Sequence, residues 1–260
     1  MKTIPFFQVD AFATAPFTGN PAAVMPLDRW LDDATMQSIA TENNLSETAF
    51  TVPSDKPDAD YDLRWFTPTV EVDLCGHASL ASGHILIHGS AAVRFATRSG
   101  ILTVTRAGDL LELELPAHAL EPGDVPGLHD ALGVGGETFV GCGGNGNVIV
   151  VLADEAAVRA VKPDFARLAA IDRLVSVTAP GDEQDIASRV FAASYGIPED
   201  PVTGAAHAAL VPLWAKRLGR ERFTALQASP RTGLLYCRLA GDRVILGGHC
   251  VTMIEGHFQL

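Results

Sequence analysis

The 260-residue chain lacks a long apolar run: the longest clear one covers 148–153, far below the roughly 20 residues that cross a bilayer as a helix. No membrane partner is expected. The amino terminus meets Gln8 and Asp10 before an apolar core of signal-peptide length can form, so a cytoplasmic location is expected. Cysteines are few. The four, at positions 75, 142, 237 and 250, form no CxxC pair and are too sparse for a disulfide framework in a chain this long. Basic residues are also short in number, 19 Lys+Arg against 31 Asp+Glu, for a net charge of −12. Such a surface repels phosphate backbones and argues against nucleic acid as a partner.

What is present is apolar. Hydrophobic residues make up 47% of the chain and charged residues 19%, the balance of a compact protein rather than a disordered one. The length allows one large domain or two of about 130 residues. The opening alternates like a strand through Ile4, Phe6 and Val9, and Thr18-Gly19-Asn20-Pro21 turns it into the apolar 22–25 in a hairpin-like start. From a cap at Asp32 or Asp33, Met36, Ile39 and Ala40 fall at helical spacing until Asn43-Asn44 stops the pattern. Strands are predicted at 47–52, 61–66, 92–96, 101–106 and 110–115.

Two segments stand apart. Residues 75–89 and 203–219 are rich in small apolar residues on nearly every side, and each ends in glycine. A helix apolar all round is a buried helix. Gly76 and Gly204 lie about half the chain apart, which points to an internal duplication. The expected fold is α+β: two similar halves, 1–117 and 118–260, each a curved, barrel-like, mostly antiparallel sheet wrapped around one central helix.

Glycines at a helix start either allow tight packing or leave backbone N–H groups open to an anion, which the helix dipole favours. Gly76-His77 and Gly204-Ala205, facing one cleft, would bind a carboxylate without any basic residue. Glu47 begins a predicted strand, His77 lies at the first helix start, and Asp200 precedes the second. A carboxylate and an imidazole beside a ligand can remove a proton from one atom and return it to another. Taken singly, Glu47 also fits a strand end, Asp200 a helix cap and His77 a core histidine.

The motifs Gln8-Val9-Asp10-Ala11-Phe12, Gly19-Asn20-Pro21, Ser46-Glu47-Thr48, Asp73-Leu74-Cys75-Gly76-His77-Ala78, Glu199-Asp200-Pro201-Val202-Thr203-Gly204, Gly247-Gly248 and Glu255-Gly256 occur in this order along the chain. Together they resemble the PhzF-like, or phenazine biosynthesis-like, family almost from end to end. The resemblance implies the diaminopimelate epimerase fold, with the active site in the cleft between the halves. It implies a cofactor-independent isomerase acting on a small carboxylate, with Glu47 as general acid/base and His77 and Asp200 assisting. Asn20, Ser46, Gly76, Thr203, Gly204 and Ala205 would bind substrate, and the chain would be a homodimer. In the phenazine enzyme itself the reaction moves a proton between ring carbons of a cyclic dihydro-hydroxyanthranilate. This chain reads Thr203-Gly204-Ala205 where the family usually has Thr-Gly-Ser, so a hydroxyl is missing. Two-base epimerases and racemases of this fold carry a cysteine at both helix starts. Here Cys75 is matched by Thr203, which favours a 1,3-proton shift over stereoinversion, with an amino-acid epimerase or a non-catalytic ligand-binding protein as the alternatives.

Other signals are weaker. Gly141-Cys142-Gly143-Gly144-Asn145-Gly146 matches GxGxxG, but an apolar strand follows it rather than a helix, so a glycine-rich turn is expected instead of a dinucleotide site. His77, His84 and His88 share one helical face, yet no carboxylate or fourth ligand accompanies them in sequence. No metal is expected. Cys75 is read as a packing residue.

Overall fold

The computed structural model describes residues 3–142 and 146–260. The chain divides into two compact units: residues up to Glu114 together with Gly247–Leu260, and Leu115–Leu246. In chain order the first unit carries β1 (Thr3–Ala11), β2 (Asn20–Pro26), α1 (Asp33–Asn43), β3 (Glu47–Pro53), β4 (Tyr61–Phe66), β5 (Glu71–Val72), α2 (Gly76–Leu86), β6 (Ala92–Thr97), β7 (Gly100–Ala107) and β8 (Leu110–Pro116). The second carries β9 (Leu120–Pro122), α3 (Leu128–Leu132), β10 (Glu137–Gly141), β11 (Asn147–Val151), α4 (Glu155–Ala160), α5 (Phe165–Ala169), β12 (Leu174–Pro180), β13 (Ile186–Ala192), β14 (Ile197–Asp200), α6 (Gly204–Leu218), β15 (Arg222–Gln227), β16 (Gly233–Ala240) and β17 (Arg243–Gly248).

The last strand, β18 (Cys250–Gln259), returns to the first unit and pairs antiparallel along the whole of β1, from Thr3 opposite Gln259 to Ala11 opposite Cys250. This corrects the assignment of everything after residue 117 to the second half. The hydrogen-bond ladder on β1 captures the chain end, a pairing distant in sequence that local pattern does not show.

Each unit is built to the same internal plan. In the first, β2 and β3 run parallel across α1, and β4 and β6 run parallel across α2. In the second, β11 and β12 run parallel across α4 and α5, and β13 and β15 run parallel across α6. The other strand pairs with a determined register are antiparallel. The expected opening hairpin forms, with Ala11 opposite Asn20. Asp32 caps α1 by accepting the Thr35 N–H at 2.9 Å, and Asn44 ends it in the left-handed conformation at φ 48°.

Both central helices are buried nearly all round. In α2, residues 76–83 are all buried, and the helix packs against β1, β2, β3, β6, β7 and β18. Gly83 explains how it fits: a Cβ there would sit 2.5 Å from Val104 Cγ1 of β7. The glycine that weakens the helix in sequence is the one that lets it approach the sheet. In α6, Pro212 lies inside the helix and has no N–H to give to the carbonyl one turn back. That carbonyl, on Ala208, instead accepts the His118 backbone N–H at 2.9 Å. His207 of the same helix is fully buried. Its Nδ1 lies 2.8 Å from the Thr203 carbonyl, which selects the Nδ1–H form and leaves Nε2 a buried acceptor without a partner.

Two outcomes are expected. Gly83→Ala gains about 1 kcal/mol of helix propensity but overpacks a fixed contact at a cost of about 1–3 kcal/mol, so urea denaturation should show a net loss of stability. Burial lowers the His207 pKa to about 4, against the Thr203 contact that would raise it. The folded ring stays neutral while the unfolded one protonates below about 6.5. Stability is therefore complete above pH 6.5 and falls as the pH drops toward 4, by on the order of 3 kcal/mol. In His207→Gln, denaturation midpoints measured between pH 7 and 4 should fall less steeply than in the wild type.

Candidate active site

In the first unit the chemistry gathers where α2 begins. Glu47 opens β3 and stands opposite Ala22 of β2 in parallel register. His77 is the second residue of α2, after the buried Gly76. Its Nε2 lies 3.1 Å from Glu47 Oε2, an ion-pair distance off the line of a well-formed hydrogen bond, and both atoms are closed to solvent. The side chains are 4% and 13% exposed, so the pair is desolvated but reachable at the carboxylate. The other ring nitrogen, Nδ1, faces Asn20 Nδ2 at 3.2 Å and Cys75 Sγ at 3.5 Å. The Ser46 hydroxyl donates to Asn20 Oδ1 at 3.2 Å. Asn20, Ser46, Glu47 and His77 thus come together beside Gly76, as the sequence reading placed them, and Cys75 joins them.

In the second unit Asp200 ends β14 and Thr203 precedes α6. The Thr203 hydroxyl donates to the Asp200 carboxylate. Gln227, at the end of β15, fastens the pair. Its amide N–H donates to the Asp200 carbonyl at 2.7 Å and to Thr203 Oγ1 at 3.2 Å, and its Oε1 accepts the Thr203 N–H at 2.8 Å. Gln227 was missed in sequence because it lies 24 residues past Thr203 with no local signal. The helix-cap reading of Asp200 gives way to this arrangement: Thr203 occupies the cap position, and Asp200 holds its hydroxyl. Gly204 is buried and Ala205 half-buried at the first turn.

The helix starts differ in kind. Asp32, Asp154 and Asp164 cap α1, α4 and α5 through their carboxylates. Neither Cys75 ahead of α2 nor Thr203 ahead of α6 makes a side-chain cap. The start of each central helix thus presents the positive end of its dipole without a side-chain cap.

Among the described residues, Glu47, Cys75 and His77 are the one group of three metal-ligating side chains, with donor atoms within 4.8 Å of one another. The imidazole stands between the other two, with Nδ1 toward sulfur and Nε2 toward carboxylate. The histidine face weighed in sequence disperses: His84 Nε2 turns to Thr252 Oγ1 at 2.9 Å and His88 is exposed. The glycine-rich string at 141–146 lies partly outside the described residues, and β11 follows it.

Burial pushes the Cys75 thiol up to about 11, and the Glu47 charge adds to this. For His77, burial disfavours the imidazolium, while negative charge on Cys75 and Glu47 favours it and holds the ring above its ordinary range.

No helix among the described residues is long and apolar enough to cross a membrane. A family model described as phenazine biosynthesis-like protein matches residues 9–256. The chain is 50% identical to an uncharacterized isomerase of Pseudomonas aeruginosa over 99% of both chains. A crystal structure of a PhzF-family phenazine biosynthesis protein from Enterococcus faecalis superposes with a TM-score of 0.93 at 43% identity, covering 100% of each chain. A hydroxyproline epimerase from Agrobacterium vitis, solved with bound trans-4-hydroxy-L-proline, gives a TM-score of 0.61 at 11% identity over 98% of this chain and 92% of its own. That last likeness is one of fold. With the α+β architecture of these proteins in each unit and the family's motifs gathered at its helix starts, the chain belongs to the phenazine biosynthesis-like family and is an isomerase.

Proposed function

We propose that this isomerase moves a proton between two carbons of a small carboxylate-bearing substrate, with Glu47 removing and returning it. The observation that carries the reading is the Glu47–His77 contact at the uncapped start of α2. A carboxylate fixed by a strand start and partly shielded from water is a positioned base. The His77 imidazole stands beside it, 3.1 Å away. Removing a proton next to a carbonyl leaves enolate-like charge, and fixed backbone N–H donors at a helix start stabilise it without reorganising. Carboxylate, imidazole and backbone amides supply every proton and charge the step requires, so the proposed reaction needs no cofactor. In the second unit, the Asp200–Thr203–Gln227 group beside an uncapped helix is the corresponding equipment, and we propose Asp200 as a further acid/base group of the same reaction.

The second reading, a two-base epimerase, draws on Cys75 beside His77. Against it, the matching position in the second unit is Thr203, whose hydroxyl is engaged with Asp200 and is a far weaker acid than a thiol. A suprafacial shift run by one carboxylate is the better fit. The homodimer belongs to this proposal through the family resemblance, and sedimentation velocity reads it directly.

The test is deuterium incorporation. Thermal-shift screening of aliphatic and aromatic carboxylates selects ligands, since stabilisation tracks ligand concentration relative to affinity. Incubation in D2O with a cyclic dihydro-hydroxyanthranilate, trans-4-hydroxy-L-proline and the hits should label one compound at a shifted carbon, without inversion of a stereocentre. Glu47→Gln should lower the exchange rate by on the order of 10²–10⁴. Asp200→Asn should lower it as well, by a smaller factor. Exchange that survives in Glu47→Gln removes Glu47 from the role, and inversion of trans-4-hydroxy-L-proline establishes the epimerase instead.

A further inference from the structure

The loop between β14 and α6 is gripped by the chain that follows the helix. Asp200 and Thr203 stand at its two ends, and residues 227–233 meet each of its four residues. Gln227, fully buried, takes the Asp200 carbonyl at 2.7 Å and the Thr203 N–H at 2.8 Å. The Ser229 hydroxyl donates to the Pro201 carbonyl at 2.9 Å. Gly233 leaves room for the buried Val202, whose Cγ2 would lie 2.1 Å from a Cβ there. The Gln227 amide fits only one way round, because a backbone N–H must meet its oxygen and a backbone carbonyl must meet its nitrogen. Its second N–H points at Thr203 Oγ1, 3.2 Å away. The hydroxyl thus accepts from Gln227, and its own proton goes to the Asp200 carboxylate. Threonine is a favoured cap residue, yet Thr203 makes no side-chain cap on α6, since its hydroxyl is engaged elsewhere.

We propose that Gln227 is a positioning residue for Asp200, directing the Thr203 hydroxyl onto the carboxylate and withholding it from the start of α6. This rests on the reading of Asp200 as an acid/base group of the reaction. The direction of each contact is set from the main chain outward, because the two backbone groups that hold the amide have single roles. Backbone orients amide, amide orients hydroxyl, and hydroxyl orients carboxylate. A hydroxyl donating to a carboxylate favours its charged form, so the arrangement holds Asp200 ready to accept a proton. Without the amide, the hydroxyl is free to turn to the N–H groups of the first helical turn, as threonine does at an ordinary cap. Gln227 therefore acts through Thr203 and touches no reacting atom.

The experiment reads the carboxyl carbon and needs no substrate. In protein labelled with 13C at the aspartate carboxyl carbon, the Asp200 signal is the one missing from Asp200→Asn, and its shift against pH reports the proton on that group. The wild type near neutral pH should show an ionised carboxylate. Thr203→Val removes the hydroxyl at nearly constant volume and should move the Asp200 transition upward by about one to two pH units, the worth of a hydrogen bond to a charge. Thr203→Ser keeps the hydroxyl and should keep the wild-type transition. Gln227→Met fills the space of the amide without its donors and should also move the transition upward. Glu199, held by Arg189 at 2.8 Å, and His207, with Nδ1 2.8 Å from the Thr203 carbonyl, are common to all these proteins and cancel from the comparison. In the wild type, both side-chain amide protons of Gln227 should resist exchange with D2O, a measurement that requires no variant to fold. A protonated Asp200 near neutral pH, or rapid exchange of either amide proton, overturns the proposal in the wild type alone. So does a transition that stays in place in both Thr203→Val and Gln227→Met. If Asp200→Asn retains deuterium exchange into substrate while the carbon behaves as described, the functional reading of Asp200 fails and the positioning by Gln227 stands.

Discussion

A helix enclosed by sheet on nearly every side sets the terms for the rest of each unit. Such a helix has no polar face to turn to water, so its sides are alanine, glycine, serine and leucine. Where even alanine is too large, as at Gly83 against Val104, only glycine fits. Polar chemistry is then confined to the helix ends. At the start of α2 the requirement is sharpest, because Cys75 offers no cap and the first turn is buried. The enclosure that stabilises the fold by apolar burial also places this helix start where water is scarce and electrostatic interactions are strong.

The same scarcity of water governs the titrating groups. Cys75 keeps its proton because a thiolate is poorly solvated there, and His207 stays neutral in the second unit for the same reason. His77 is the group on which burial and a neighbouring carboxylate compete. The two units share a plan but spend it differently. One gathers a carboxylate, an imidazole and a thiol, and the other ties a carboxylate to a hydroxyl and a glutamine.

Much of this was legible in the sequence because its causes are local. Small residues on nearly every side of 75–89 and 203–219 pointed to enclosed helices, and their spacing to two similar halves. The cap at Asp32 and the stop at Asn44 follow from side-chain chemistry within one turn. The motif residues Asn20, Ser46, Glu47 and His77 were found as a set, but not their order of contact, since that depends on atoms brought from three separate segments. Gln227 was invisible for the same reason. The pairing of β18 with β1 joins residues at opposite ends of the chain, and no window of sequence contains both.

That last pairing bears on how the protein is made. Residues 115–246 form a contiguous unit whose strands and helices are all made before β18, while the unit begun first lacks this β1 partner until Cys250–Gln259 is made. Domains emerging in order usually fold in order. Here the later-made unit can complete itself first, and β1 must wait with an open edge, a template for unwanted pairing. Strand β18 therefore acts as the closing seam of the first unit.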